Sequence, residues 1–177
     1  MSSEPEQPWL TYGELLHGWQ PVSLRTEAAK FEFNASYVLN DPLYELTTAA
    51  LWLLVPEYPH TQLAPPKQIS PPLCGNNFRC IHFWREPEWH TLHVSRLDSE
   101  RVRTTFYEHH EGGGHITLED LGTARNQLES TMPVATFCQR ASQITQETNV
   151  PLHNARGGLF PLDYAVTLFN FVSAQSR

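Results

Sequence analysis

The sequence predicts a single α+β domain, an antiparallel β-meander of about four to five strands packed against about three helices. Three observations carry that expectation. Residues 30–38 alternate apolar and polar side chains, three further β-rich runs lie close together between Asn77 and His110, and three segments repeat apolar residues at helical spacing. Strand runs separated by short gaps favour hairpin connections over crossovers, and helices must then cover the sheet.

Taken in order, Thr11 stands three residues before Glu14 and is followed by Leu15 and Leu16, a capping-box pattern that predicts a short helix near 12–19, weakened by Gly13 and Gly18. Phe31, Phe33, Ala35 and Tyr37 then alternate with Glu32, Asn34 and Ser36, which predicts a half-buried strand. Asp41 and Pro42 open the strongest helix signal, residues 42–55, because Asp caps and Pro is tolerated at the first helical position. Its apolar stripe, Leu43, Leu46, Ala49, Ala50, Leu53 and Leu54, is wide enough to lie against a sheet. Residues 56–72 hold six prolines without periodicity and predict an irregular loop.

The β-rich stretch follows: Phe78, Cys80, His82 and Trp84 alternate with Arg79, Ile81, Phe83 and Arg85, then come Trp89–Leu97 and Arg101–Tyr107. Five arginines stud these runs, at 79, 85, 96, 101 and 103, as snorkelling surface residues or as an anion-binding face. Residues 115–130 are ambiguous between a helix capped by Thr117 with Asp120 and an extended segment. A helix over 133–148 carries Val134, Phe137, Ala141 and Ile144 on one stripe. A final helix from Pro161 to about Ser173 has apolar residues on two faces and is expected to be buried on both.

Composition narrows the function classes. The 177 residues are 40% apolar, 11% aromatic and 18% charged, enough for a packed core. No apolar run reaches the roughly 20 residues of a membrane helix. Polar, acidic residues 1–8 do not read as a signal peptide, and Cys74, Cys80 and Cys138 read as reduced thiols, so a cytoplasmic protein is expected. The formal charge is −7, with eight acids against two bases in residues 1–60. That balance disfavours nucleic acid, which needs clustered Lys and Arg, and suits a basic protein partner.

Chemistry-bearing motifs are sparse. His109, His110, Glu111 and His115 surround a glycine turn and could hold a metal, although their spacing matches no zinc pattern. His90 and His93, three apart on a strand, face opposite ways, and Cys74, Cys80 and His82 lack an evident fourth ligand. Cys80 and Cys138 read as core thiols. The nucleophile elbow, the phosphate loop and the dinucleotide fingerprint are absent. No catalytic residue, metal or cofactor is therefore expected.

Two stretches carry a family resemblance. Asn34, Ala35, Ser36 and Tyr37 lead into Asp41, Pro42, Leu43 and Leu46; later Glu86, Pro87, Glu88 and Trp89 precede Leu92 and Arg96. With Val134, Ala135 and Phe137 in a late helix, this order resembles small bacterial immunity-type domains associated with polymorphic toxins, over roughly residues 30–148. The resemblance implies a sheet packed on one or two helices and a protein that inhibits a cognate toxin or effector, by occluding its active site or holding it inactive. Many such toxins are basic nucleases. On that reading Glu27, Glu32, Glu45 and Glu57 supply the electrostatic part of the partner surface. Trp89 is a hydrophobic anchor, unless it packs in the core. The alternatives are a small metal-dependent enzyme using the His-rich turn, and an adaptor or chaperone for a secreted protein.

Overall fold

A computed structural model describes residues 9–25, 29–36, 41–56, 74–85, 88–110, 116–148, 153–154 and 162–175. The fold is α+β. Strands β1 (Trp9–Tyr12), β2 (Trp19–Arg25) and β3 (Lys30–Ser36) precede helix α1 (Pro42–Leu54). Then come β4 (Cys74–Gly75), β5 (Phe78–Arg85), β6 (Glu88–Arg96) and β7 (Arg101–His110). Helix α2 (Leu118–Leu121), β8 (Asn126–Pro133), α3 (Val134–Glu147) and α4 (Leu162–Gln175) complete it. Every strand pairing is antiparallel, in the order β1-β2-β3-β5-β6-β7-β8 with β4 beside β5. The sheet thus has eight strands, not four or five. The predicted proline-rich loop lies outside the described residues. No helix among the described residues is long and apolar enough to cross a membrane.

The helix expected near 12–19 is instead a β-hairpin. Thr11 pairs with Ser23, and Leu16 and Trp19 exchange both backbone hydrogen bonds, at 2.8 and 2.9 Å. Between them His17 and Gly18 have φ of 53° and 80°. Two successive left-handed residues make the tight turn whose twist matches paired strands, and glycine takes that conformation without strain. The ambiguous segment contains both expected structures: Thr117 and Asp120 form a capping box on α2, and β8 follows extended.

The sheet is two units joined at a corner. Strand β3 touches β5 at one pair, Ser36 with Trp84. Beyond it β3 lays its inner residues on the other unit. Phe33 stands 5.4 Å from Phe83, 4.4 Å from His90 and 6.0 Å from Phe106, and Phe31 is 5.4 Å from Phe106. This aromatic stack continues into a core closed by α1 and α3.

Helix α1 is the centre of that core, with eleven of its thirteen residues buried. An element apolar on all sides has no solvent face and must be held by its ends and by neighbours. Asp41 caps its N-terminus, with Oδ1 accepting from Leu43 N at 3.0 Å and Tyr44 N at 3.1 Å. Its last turn has no basic residue of its own, and Arg96 of β6 supplies one, with Nη2 donating to Trp52 O at 3.2 Å and to Leu53 O. The guanidiniums of Arg79 and Arg96 lie 4.5 and 5.4 Å from the Trp52 ring. A cation at a helix C-terminus is favourable, and a guanidinium stacks well on an indole. Two of the five strand arginines are therefore packing and capping groups.

Glu45 explains how the split sheet is sealed. On the side of β5 away from β6, β3 reaches Trp84 and β4 reaches Phe78 and Arg79. The backbone N–H of His82 lies between, and Glu45 Oε2 accepts from it at 2.6 Å. The carboxyl is 2% exposed, so Glu45 takes the place of a strand partner and is no part of an exposed acidic surface. The expectation for α4 is also corrected. Tyr164 and Leu168 are buried, while Val166 and Phe169 are 57% and 46% exposed, so one face packs and the outer one meets solvent.

Glu45→Ala should lower unfolding free energy by about 1–3 kcal/mol, the cost of leaving a buried N–H without its acceptor. Urea denaturation measures the loss, and amide hydrogen exchange should show His82 losing protection first. Glu45→Gln, which retains an acceptor oxygen, should lose less.

Candidate functional site

The densest chemistry in the molecule surrounds the N-terminus of α1. Asp41 Oδ2 lies 3.1 Å from His153 Nε2, with the two residues 4% and 3% exposed. Glu45 stands one turn along the helix. The Tyr12 hydroxyl donates to Pro42 O at 3.4 Å, and Tyr44 packs edge-on against Tyr164 at 5.4 Å. An imidazole between carboxylates and phenols is the inventory of acid–base catalysis. Here its geometry describes a clamp. One oxygen of Asp41 holds the first turn of α1, the other holds His153, and Glu45 holds β5. Burial, reinforced by Asp41 and Glu45, pushes the Tyr12 hydroxyl well above its ordinary range. Burial, with Tyr164 packed beside it, raises Tyr44 in the same direction. Both phenols stay protonated at neutral pH.

The buried thiols are equally inert. Burial pushes Cys138 up to about 12, and its Sγ donates to Ala50 O at 3.5 Å across the α1–α3 contact. Burial raises Cys80 strongly as well, with Glu45 adding to it. A thiol so raised is no nucleophile at neutral pH. Cys74 is exposed.

Of the sequence-predicted partner residues, the three described ones, Glu32, Glu45 and Trp89, do not share one surface. Glu32 is exposed on β3 and paired with Lys30 at 2.5 Å. Glu45 is interior. Trp89 is 2% exposed and packs with Ile116 and Leu121, beside Trp84 and Tyr107, on the sheet face opposite the main core. Glu27 and Glu57 lie outside the described residues. The histidine turn considered as an alternative metal site is described in part: His109 and His110 end β7, while Glu111 and His115 lie outside the described residues. Among the described residues no three His, Cys, Asp or Glu side chains are grouped to hold a metal. His90 faces Phe33 and Phe106, and His93 faces Phe78 and Tyr107, on opposite sides of β6. Of the other strand arginines, Arg101 pairs with Asp98 and Arg103 with Glu129.

Two open clefts lie on the described surface. One, about 440 Å³, spans β1–β3 and is walled by Thr11, Tyr12, Ser23, Glu32 and Asn34 among others. The second, about 310 Å³, is lined by Phe31, Phe106, Glu108, Asn126, Gln127 and Leu128. Glu108 is a site residue that sequence reasoning missed. Its signal was available, since Val102, Thr104, Phe106 and Glu108 share one face of β7, which ends in a carboxylate beyond a buried phenylalanine. Each cleft contains one charged residue, and both are carboxylates. Comparison of the chain with family models, with curated proteins and with solved structures gave no match.

Two outcomes follow. Asp41→Ala should cost at least the ~0.5–2 kcal/mol of a lost N-cap. Asp41→Asn, which can still cap, should isolate the His153 contact in a double-mutant cycle with His153→Ala. Separately, stability should fall as pH rises from about 9 towards 12. The unfolded Cys138 thiol loses its proton near its ordinary 9.0, whereas the folded one holds it to about 12, so unfolding releases a proton in that window. Cys80, Tyr12 and Tyr44 act in the same direction. Cys138→Ala should flatten the slope of unfolding free energy against pH.

Proposed function

We propose that this chain is a cytoplasmic immunity-type protein that binds a cognate bacterial toxin or effector and inhibits it. The observation that carries the reading is the chemistry of the two clefts. The lining of each includes one carboxylate, Glu32 or Glu108, on a chain of net charge −7. Such seats complement the cationic side chains of a basic protein, and the net charge favours its approach. The aromatic component of the surface is Phe31, half-buried between β3 and β7, in place of Trp89. Further support comes from the clamp. Asp41, Glu45 and His153 are buried and engaged within the fold, so they do not meet a partner at the surface. Glu32 is held by Lys30 in an exposed ion pair, the kind that contributes about 0–1 kcal/mol and yields readily to a partner.

The test begins with capture by the tagged protein from its source lysate at low and moderate salt, with mass spectrometry of the eluate. The captured protein is then purified and its activity measured with and without an equimolar amount of this chain. The expected result is one basic protein in equal amount, inactive when bound, associating more slowly as salt rises. A bound partner that keeps full activity and is released intact would replace inhibition with carriage, as by an adaptor.

A further inference from the structure

We infer that the outer face of α4 is where a second copy of this chain docks, with the two helices antiparallel about a two-fold axis. The inference goes beyond the toxin-inhibitor reading and does not rest on it. Helix α4 packs Tyr164 and Leu168 inward and leaves Val166, Phe169 and Asn170 exposed, with Ser173 half-buried beside them. Positions 166, 169, 170 and 173 follow the i, i+3, i+4, i+7 spacing of one helical face. The neighbouring α3 has a different outer face, with Gln139, Gln143 and Gln146 exposed. The 14 residues of α4 carry one charge, Asp163 in the first turn, and its last turn has no basic residue.

The missing charge selects the occupant. A basic partner is drawn to carboxylates, and this four-residue stripe holds none. A lipid surface is met by helices with Lys or Arg on the polar face, and α4 has neither. Two copies of a chain of net charge −7 repel one another, so they meet closely only on a face without like charges. The stripe is also its own complement. Its spacing reads the same in both directions, so an antiparallel copy sets Val166 against Ser173 and Phe169 against Asn170, each contact made twice, as a two-fold axis requires. In that register the two Asp163 stand on the order of 20 Å apart along the helices, well beyond the Debye length of about 8 Å. Parallel helices would instead place them side by side, at an interaxial distance of about 8–10 Å. A contact of one short helical stripe lies below the roughly 1,200–2,000 Å² of a standard interface, so the dimer is a weak one.

Sedimentation equilibrium of the full chain, over about 1–300 µM, tests the docking. The mass should rise from 20.3 kDa towards twice that value, with a dissociation constant on the order of 10–100 µM. Added salt should tighten the dimer, because it screens the repulsion between the copies and breaks no ion pair at the contact. Phe169→Glu should weaken it at least ~10-fold with the thermal midpoint retained. Gln139→Glu on α3, which adds the same charge elsewhere, should change it by less than ~2-fold. Cross-linking reads the register, in a Cys74→Ser background because Cys74 is the exposed thiol. An equal mixture of Val166→Cys and Ser173→Cys chains should form a disulfide-linked dimer under mild oxidation, and neither variant alone should. A mass of 20.3 kDa at every concentration would overturn the proposal. So would a dimer untouched by Phe169→Glu, which would place the contact elsewhere, or one linked by Val166→Cys alone, which would make the helices parallel.

Discussion

The structure depends on one hydrogen bond, from the His82 backbone N–H to the buried carboxyl of Glu45. A sheet that turns a corner must open a gap in its ladder, because the strand that leaves can no longer pair with the one that continues. Here β3 meets β5 only at its last residue, Ser36, so that Phe31 and Phe33, earlier on the strand, can face the aromatic stack of the other unit. The gap exposes a backbone donor to the interior, where an unsatisfied group is costly. Filling it with a helix-borne carboxyl solves two problems together. It satisfies the donor, and it fixes α1 against β5 at a defined height. The apolar faces of α1 alone would leave that height free to slide.

The same logic governs both ends of α1. Apolar packing is non-directional, so an all-apolar helix is held strongly but not uniquely. Direction comes from three polar groups distant in sequence from the atoms they hold. Asp41 ties its own first turn to His153, Glu45 ties to β5, and Arg96 closes the last carbonyls from β6. Thr47 and Thr145 add a hydroxyl contact at 3.3 Å where α1 crosses α3. Each joins elements brought together only by folding, so local opening of one would release the helix end it serves.

Elements with a single strong period were legible in the sequence: the alternation in β3, the capped apolar helix α1, the meander β5–β7 and the stripe of α3. The hairpin β1–β2 was not, because Thr11 and Glu14 imitate a capping box while the decisive signal was the left-handed pair His17 and Gly18. Strand β8 was obscured because only Leu128 and Met132 interrupt its polar residues before Pro133. Glu45 was misread as a surface charge because its burial is dictated by a gap in a strand 37 residues away. The Phe31–Glu108 cleft was illegible for the same reason, since its two halves meet only when the sheet folds on itself.

The distribution of acids then bears on how a partner would be recognised. A charge of −7 suggests a broad acidic field, but Asp41 and Glu45 are interior, and Glu32, Glu88, Asp98 and Glu129 each sit beside a base. Local pairing weakens the field at its source, and at physiological ionic strength salt screens what remains over a Debye length of about 8 Å. Attraction at a distance is then modest, and discrimination must come from contact. A carboxylate at the rim of a cleft, as Glu32 is, would make such a contact, because a partner's cation would have to fit the cleft as well as carry the opposite sign. Recognition on these terms would be selective through shape and tolerant in approach, which accords with the proposed inhibition of one basic partner among many.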